Sequence, residues 1–167
     1  KMTGQLARSM RWVAETAAAN VYNRAWNSSY LGADGKVLAA TDHPLLRGST
    51  FANTPASAGA LSVTTLKAAL NYFKKSVGHE GAPIIMTPKI LLIPPDLEFT
   101  ANEILKTNGM PYSADNTINP VEGALQIVVN NFLTSTTAWF VLASKHDMNF
   151  FWRTRPAGAP EGSDDPF

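Results

Sequence analysis

The sequence predicts an α+β fold, and three observations carry that expectation. Apolar residues recur at helical spacing through 3–26 and again through 61–77. A wholly apolar run at 90–93 is too short for a helix of its own, and its flanking prolines mark it as a strand covered on both faces. The stretches 125–129 and 137–143 supply further strand candidates, the second being the most hydrophobic after 90–93.

The first helix, at about 1.5 Å per residue, would be roughly 36 Å long. Thr3 is its expected cap. Leu6, Met10, Val13, Ala17, Val21 and Ala25 form one apolar stripe along it. Trp12, Ala19, Tyr22 and Trp26 fall on the opposite side, among Arg8, Arg11 and Glu15. A single stripe needs one partner, and bulky aromatics on the far side imply another. Trp12, Tyr22 and Trp26 therefore either cover loops of their own chain or meet a second subunit or a missing segment.

Residues 27–60 are rich in turns, Asp34-Gly35 being a strong signal, with 36–40 as a short strand candidate. In the second helix, Ser62 is the N-cap and Leu61 with Leu66 forms a hydrophobic staple. Val63, Leu66, Leu70, Phe73 and Val77 make its buried stripe, Lys74 and Lys75 occupy the last turn, and Gly78 is the expected C′ residue. A strand at 84–86 leads into the central unit at 88–105. There Pro94-Pro95 stops the strand, because proline cannot donate to a ladder. Pro95 suits the first position of a helix, and Asp96 and Glu98 complement the dipole of its first turn. Leu97, Ala101, Ile104 and Leu105 give that helix an apolar face, and Asn108-Gly109 ends it. The stretch 107–122 reads as an open loop, of a length that is often functional. Asn130-Asn131 marks a turn, 149–153 is a last strand candidate, and from Pro156 there is too little apolar surface to fold alone.

Composition narrows function mainly by exclusion. The 167 residues fit one domain, or one compact domain plus an extension, and 45% hydrophobic content can fill a core. A net charge of +1 gives no general electrostatic case for binding nucleic acid or an anionic membrane. With no cysteine there are no disulfides, thiolate metal sites or cysteine nucleophiles. No apolar run approaches the roughly 18 residues that span a bilayer, and the first residues lack a signal-peptide core. His43, His79 and His146 are far apart, each in or near a predicted loop. Asp42-His43 and His146-Asp147 are neighbours in sequence, and such side chains usually point apart, so a loop role is expected and no metal or cofactor site is assigned. No zinc-protease, nucleophile-elbow or phosphate-loop motif is present. A Ser/His/Asp set assembled at a distance is supported only by having the residue types. No catalytic residue is named.

Four segments in order carry a resemblance. They are Ala7-Arg8-Ser9-Met10 leading to 19–25; Asp34-Gly35 followed by 41–45; 91–98; and Asn119-Pro120 followed by 125–129 and 137–143. Each alone is weak, but their co-linearity resembles the major head subunit of Mu-like tailed bacteriophages and prophages, from about Gly4 to Arg153. The resemblance implies the HK97-like capsid fold: a spine helix at 1–27, a turn-rich connection at 28–60, a mixed axial domain at 61–153 and a flexible tail at 154–167. Its function would be self-assembly into hexamers and pentamers of an icosahedral head, formed in the bacterial host cytoplasm. The head would enclose double-stranded DNA without sequence-specific binding. The implied partners are copies of itself, with scaffold, portal and decoration proteins, and no membrane. Subunit contacts are expected at Trp12, Tyr22 and Trp26 and, by analogy with axial-domain loops, at Met110, Tyr112, Asn116 and Asn119. The loop carrying the last four reads equally as a plain solvent-exposed connection. Complete subunits carry an N-terminal arm and an extended β-loop before the spine helix, and further strands after the axial domain. The chain is therefore expected to be a fragment, monomeric or weakly associated. An encapsulin-like nanocompartment subunit, which shares the fold, and a hydrolase with a dispersed Ser/His/Asp site are the alternatives.

Overall fold

The computed structural model describes residues 2–46, 48–109, 117–144 and 151. The elements in chain order are α1 (Met2–Asn23), β1 (His43–Pro44), β2 (Thr50–Phe51), α2 (Val63–Lys74), β3 (Pro88–Ile93), α3 (Glu98–Lys106), β4 (Gln126–Val129) and β5 (Phe140–Ala143). β3 is the centre of a mixed sheet, parallel to β4 and antiparallel to β5. β1 and β2 form a separate antiparallel pair.

The core gathers on β3. Leu91, Leu92 and Ile93 are all buried, as a continuous apolar run between two neighbouring strands predicts. Beyond Pro94 a single 3₁₀ turn, Pro95–Leu97, passes into α3, which turns Ala101, Ile104 and Leu105 onto the sheet. α2 adds Val63 and Leu66, and Leu61, Val121 and Leu125 close the cluster. α2 starts as expected. The Ser62 hydroxyl accepts from the Thr65 N–H at 3.2 Å, and the Thr65 hydroxyl accepts from the Ser62 N–H at 2.9 Å, completing a capping box.

Several expected boundaries move. α1 starts at Met2, which places Thr3 inside the helix, and ends at Asn23. Ala25 then donates three residues back, to Tyr22, and Trp26 lies in the turn that follows. Residues 36–40 form no strand, because a side chain takes the place of a neighbouring strand: the Asn53 amide donates to the Leu38 carbonyl and accepts from the Ala40 N–H. α2 ends before Gly78, with Lys75 as its cap, and Gly78 instead donates to Ala82 in a turn that Gly81 completes. Residues 84–86 are not a strand either. Only an isolated bridge, Val77 with Pro83, forms there, and Ile85 is fully exposed. β5 starts at Phe140 because the Ser135 hydroxyl holds the Ala138 N–H in a local turn. Gly109 ends no helix in the left-handed region; α3 is closed from Gly123, whose φ of 62° lets its N–H reach the Leu105 carbonyl. The strand candidate 149–153 and the segment from Pro156 lie outside the described residues, Phe151 excepted.

Candidate functional site

α1 meets the sheet with the side that carries aromatic and polar residues. Ala19 is fully buried, and its small side chain permits close approach. The Tyr22 ring tilts against Phe140 with centroids 5.1 Å apart, and Trp26 meets the same ring at 5.4 Å. Burial pushes the Tyr22 phenol above its ordinary pKa. Between these rings and the next loop, the Asn23 amide donates to the Phe132 carbonyl at 3.0 Å and accepts from the Thr134 N–H at 2.9 Å. Tyr22 thus covers its own chain. Trp26 does so with half its surface still exposed, and Trp12 is 65% exposed.

The opposite side of α1 is uncovered. Val13 is 70% and Val21 43% exposed, and Ala17 between them is exposed as well. Val13, Ala17 and Val21, the middle of the stripe that periodicity marks for burial, therefore face outward, while Met10 is half-buried and Ala25 is fully buried, so the expected core face is corrected over that middle part. The reason lies in the shape of the sheet end. Phe140, with the carbonyl and N–H groups of 132–134, offers ring and hydrogen-bonding partners, which Tyr22 and Asn23 can satisfy and valines cannot.

Between the N-terminal half of α1 and the end of β4 runs an open groove of about 550 Å³. Arg8, Arg11, Trp12 and Glu15 line one side and residues 128–132 the other.

The other expected contact residues divide. Asn119 is buried, and its side chain is spent inside the chain: Nδ2 donates to the Ile104 and Thr107 carbonyls at 2.6 and 2.9 Å, while Oδ1 accepts from the Val121 N–H. It caps the C-terminus of α3 within its own chain. Met110, Tyr112 and Asn116 lie outside the described residues; the ends of their loop are joined by a bridge between Gly109 and Ile118. Sequence reasoning missed other exposed apolar groups, Phe99 and Ile118 at 80% each. Phe99 had a signal: it lies half a turn from the stripe of Leu97, Ala101, Ile104 and Leu105.

Asp42 and His43 do point apart, whereas His146 and Asp147 lie outside the described residues. Nδ1 of His43 lies 2.6 Å from Asp34 Oδ2, while Asp42 pairs with Lys36. Hydrogen bonds from His43 and from the Lys36 N–H hold the Asp34 carboxyl below its ordinary pKa. Nε2 of His43 is buried with no hydrogen-bond partner, so no serine hydroxyl meets it. His43 and Asp34 lock a turn; they do not form two members of a triad. No group of metal-ligating residues occurs among the described residues.

A phage capsid protein family profile matches residues 1–167, and the chain belongs to that family. Its place is thus the virion capsid, and its family is a structural one. The fold is similar to that of a chain in the bacteriophage JBD30 capsid, with a TM-score of 0.60 at 13% identity, covering 78% of this chain and 68% of that one. It is also similar to a chain in the JBD30 capsid decorated with minor capsid protein trimers, with a TM-score of 0.57 at 14% identity, covering 78% and 67%. At such identity the likeness is one of fold. No curated protein sequence matches.

Proposed function

We propose that the chain is the shell-forming part of the major head subunit of a Mu-like phage, with the HK97-like architecture, and that it assembles into hexamers and pentamers around double-stranded DNA. The observation that carries this reading is the uncovered aliphatic side of α1, with Val13 70% and Val21 43% exposed. Symmetric assemblies reuse one surface many times, and an apolar face left open on the single chain is what a neighbour would close. Residues 1–27 are then the spine helix, 28–60 the connection, 61–153 the axial domain and 154–167 the tail.

Trp12 and Trp26 remain proposed contacts, as do Met110, Tyr112 and Asn116 at the capsomer centre. The partners are further copies of the chain, with scaffold, portal and decoration proteins joining in the host cytoplasm. A net charge of +1 fits a shell that encloses DNA without gripping it.

Light scattering at several concentrations tests the reading. The mass is expected to rise with concentration above that of the 18.0 kDa chain, and the double change Val13→Glu with Val21→Glu is expected to hold it at the single-chain value. Association unaffected by the two changes overturns the reading of this side of α1 as a contact.

A further inference from the structure

Two pairs in the sequence place glycine directly after an Asp or Asn side chain, Asp34-Gly35 and Asn108-Gly109. With no Cβ, the glycine leaves its own backbone nitrogen uncrowded. That nitrogen can attack the carbonyl carbon of the preceding side chain and close a five-membered imide. The structure treats the two pairs differently. At Asp34-Gly35 both reacting groups are engaged. The Gly35 N–H donates to the Gly32 carbonyl at 3.0 Å. Asp34 Oδ1 accepts from the Lys36 N–H at 3.1 Å, and Oδ2 lies 2.6 Å from His43 Nδ1. These bonds keep the carboxyl in its charged form, which repels a nucleophile. At Asn108-Gly109 both groups are open. Asn108 is exposed, and the Gly109 N–H donates to no group among the described residues. The bridge between Gly109 and Ile118 runs through the Asn108 carbonyl, which accepts from the Asn119 N–H at 2.9 Å. With its nitrogen turned toward acceptors, the Asn108 side-chain amide donates to the Glu122 carboxylate, to Oε2 at 3.2 Å.

We propose that Asn108 is a site of slow self-modification, at which the folded chain converts the side-chain amide into aspartate and isoaspartate. The Gly109 nitrogen gives its proton to water and bonds to Asn108 Cγ. Nδ2 takes a proton from water and leaves as ammonia, so a cyclic imide replaces the amide. Water then opens the imide at one of its two carbonyl carbons. Breaking the bond from Cγ to the Gly109 nitrogen gives aspartate. Breaking the bond from the Asn108 main-chain carbonyl carbon gives isoaspartate, whose main chain runs through Cβ and Cγ. The reaction consumes water, releases ammonia and needs no oxidant or cofactor. Either product loosens the end of α3. Aspartate sets a second carboxylate against Glu122 in place of a donor, and the two repel. Isoaspartate lengthens the main chain by one methylene and takes the acceptor of the Asn119 N–H out of it. Asn119 is the residue whose side chain holds the Ile104 and Thr107 carbonyls, so the cap of α3 weakens with it.

The test keeps the full chain in mildly alkaline buffer and follows it by peptide mapping, with an isoaspartyl methyltransferase as the probe for isoaspartate. In the folded chain, position 108 is expected to lose its amide and become methylatable, while position 34 stays unmethylated. In urea, where the hydrogen bonds of Asp34 and Gly35 are gone, both positions are expected to react. Gly109→Ala is expected to abolish the conversion without disturbing the fold, since the added methyl would meet only the Thr117 carbonyl oxygen, at an ordinary 3.9 Å. In the converted fraction, hydrogen exchange at the Asn119 N–H is expected to rise while that of α2 stays unchanged. An intact amide at 108 in the folded chain, alongside conversion in urea, overturns the proposal. So does conversion that survives Gly109→Ala, and so does methylation of position 34 in the folded chain at the same rate as 108. Unchanged exchange at Asn119 in the converted fraction overturns the loosening of α3.

Discussion

The β3–α3 unit and α1 are held by different means. In the first, Leu91, Ile93 and Ala101 are fully enclosed, and one helix face covers one sheet face. In the second, a small alanine, two tilted rings and the Asn23 side chain fasten one end of a 22-residue helix, and the valines stay outside. The first region is complete within the single chain. The second leaves Val13 and Val21 exposed among the described residues. A periodic apolar stripe shows that a helix has something to bury, and leaves open whether its own chain or a neighbour does the burying.

The contrast is most directly broken in the core. Leu91→Ala opens a cavity at a fully buried site and should cost about 3 kcal/mol, read as a lower urea midpoint with an unchanged slope. If the cost stays below about 1 kcal/mol, β3 is not the organising strand. Asn119→Ala should come next, at about 2 kcal/mol, since it strands two carbonyls and the Val121 N–H in a buried place. Hydrogen exchange at the end of α3 should rise with it.

Much of the core unit is legible in the sequence because its signals are local. Pro94-Pro95, the acidic first turn and the stripe of α3 are all read within 88–105, and the structure keeps them. Asn119 is the counter-example. Its partners are 15 and 12 residues away, so nothing adjacent marks it as a cap, and a polar residue beside proline reads as a loop. Residues 36–40 fail for the same reason, their partner being the side chain of Asn53. The choice of face on α1 depends on Phe140 and Thr134, more than a hundred residues on, and helical periodicity carries no information about them.

Smaller effects sharpen the contrast. The Asp34 carboxyl titrates lower in the folded chain than in the unfolded one. Its contribution is therefore full above the unfolded value, about 3.9, and is lost as pH falls through the lower folded value. Asp34→Asn should flatten that acid limb in a plot of Tm against pH; an unchanged limb would mean that His43 does not hold the turn. Val13→Glu should be the mildest change, within about 0.5 kcal/mol in the single chain, although the residue sits in an apolar stripe. A larger loss in urea unfolding would mean that α1 buries this side after all.

The Asn23–Thr134 hydrogen bond joins residues 111 apart in sequence. Loop-closure entropy grows with the logarithm of that separation, whereas β3 and β4, with α3 between them, close a much shorter circuit. The sheet and its two short helices are expected to form first in refolding, with α1 docking last. Pulse-labelled hydrogen exchange should find the amides of α1 protected only after those of β3, so the exposed side of α1 is expected to be the last part of the chain to take its place.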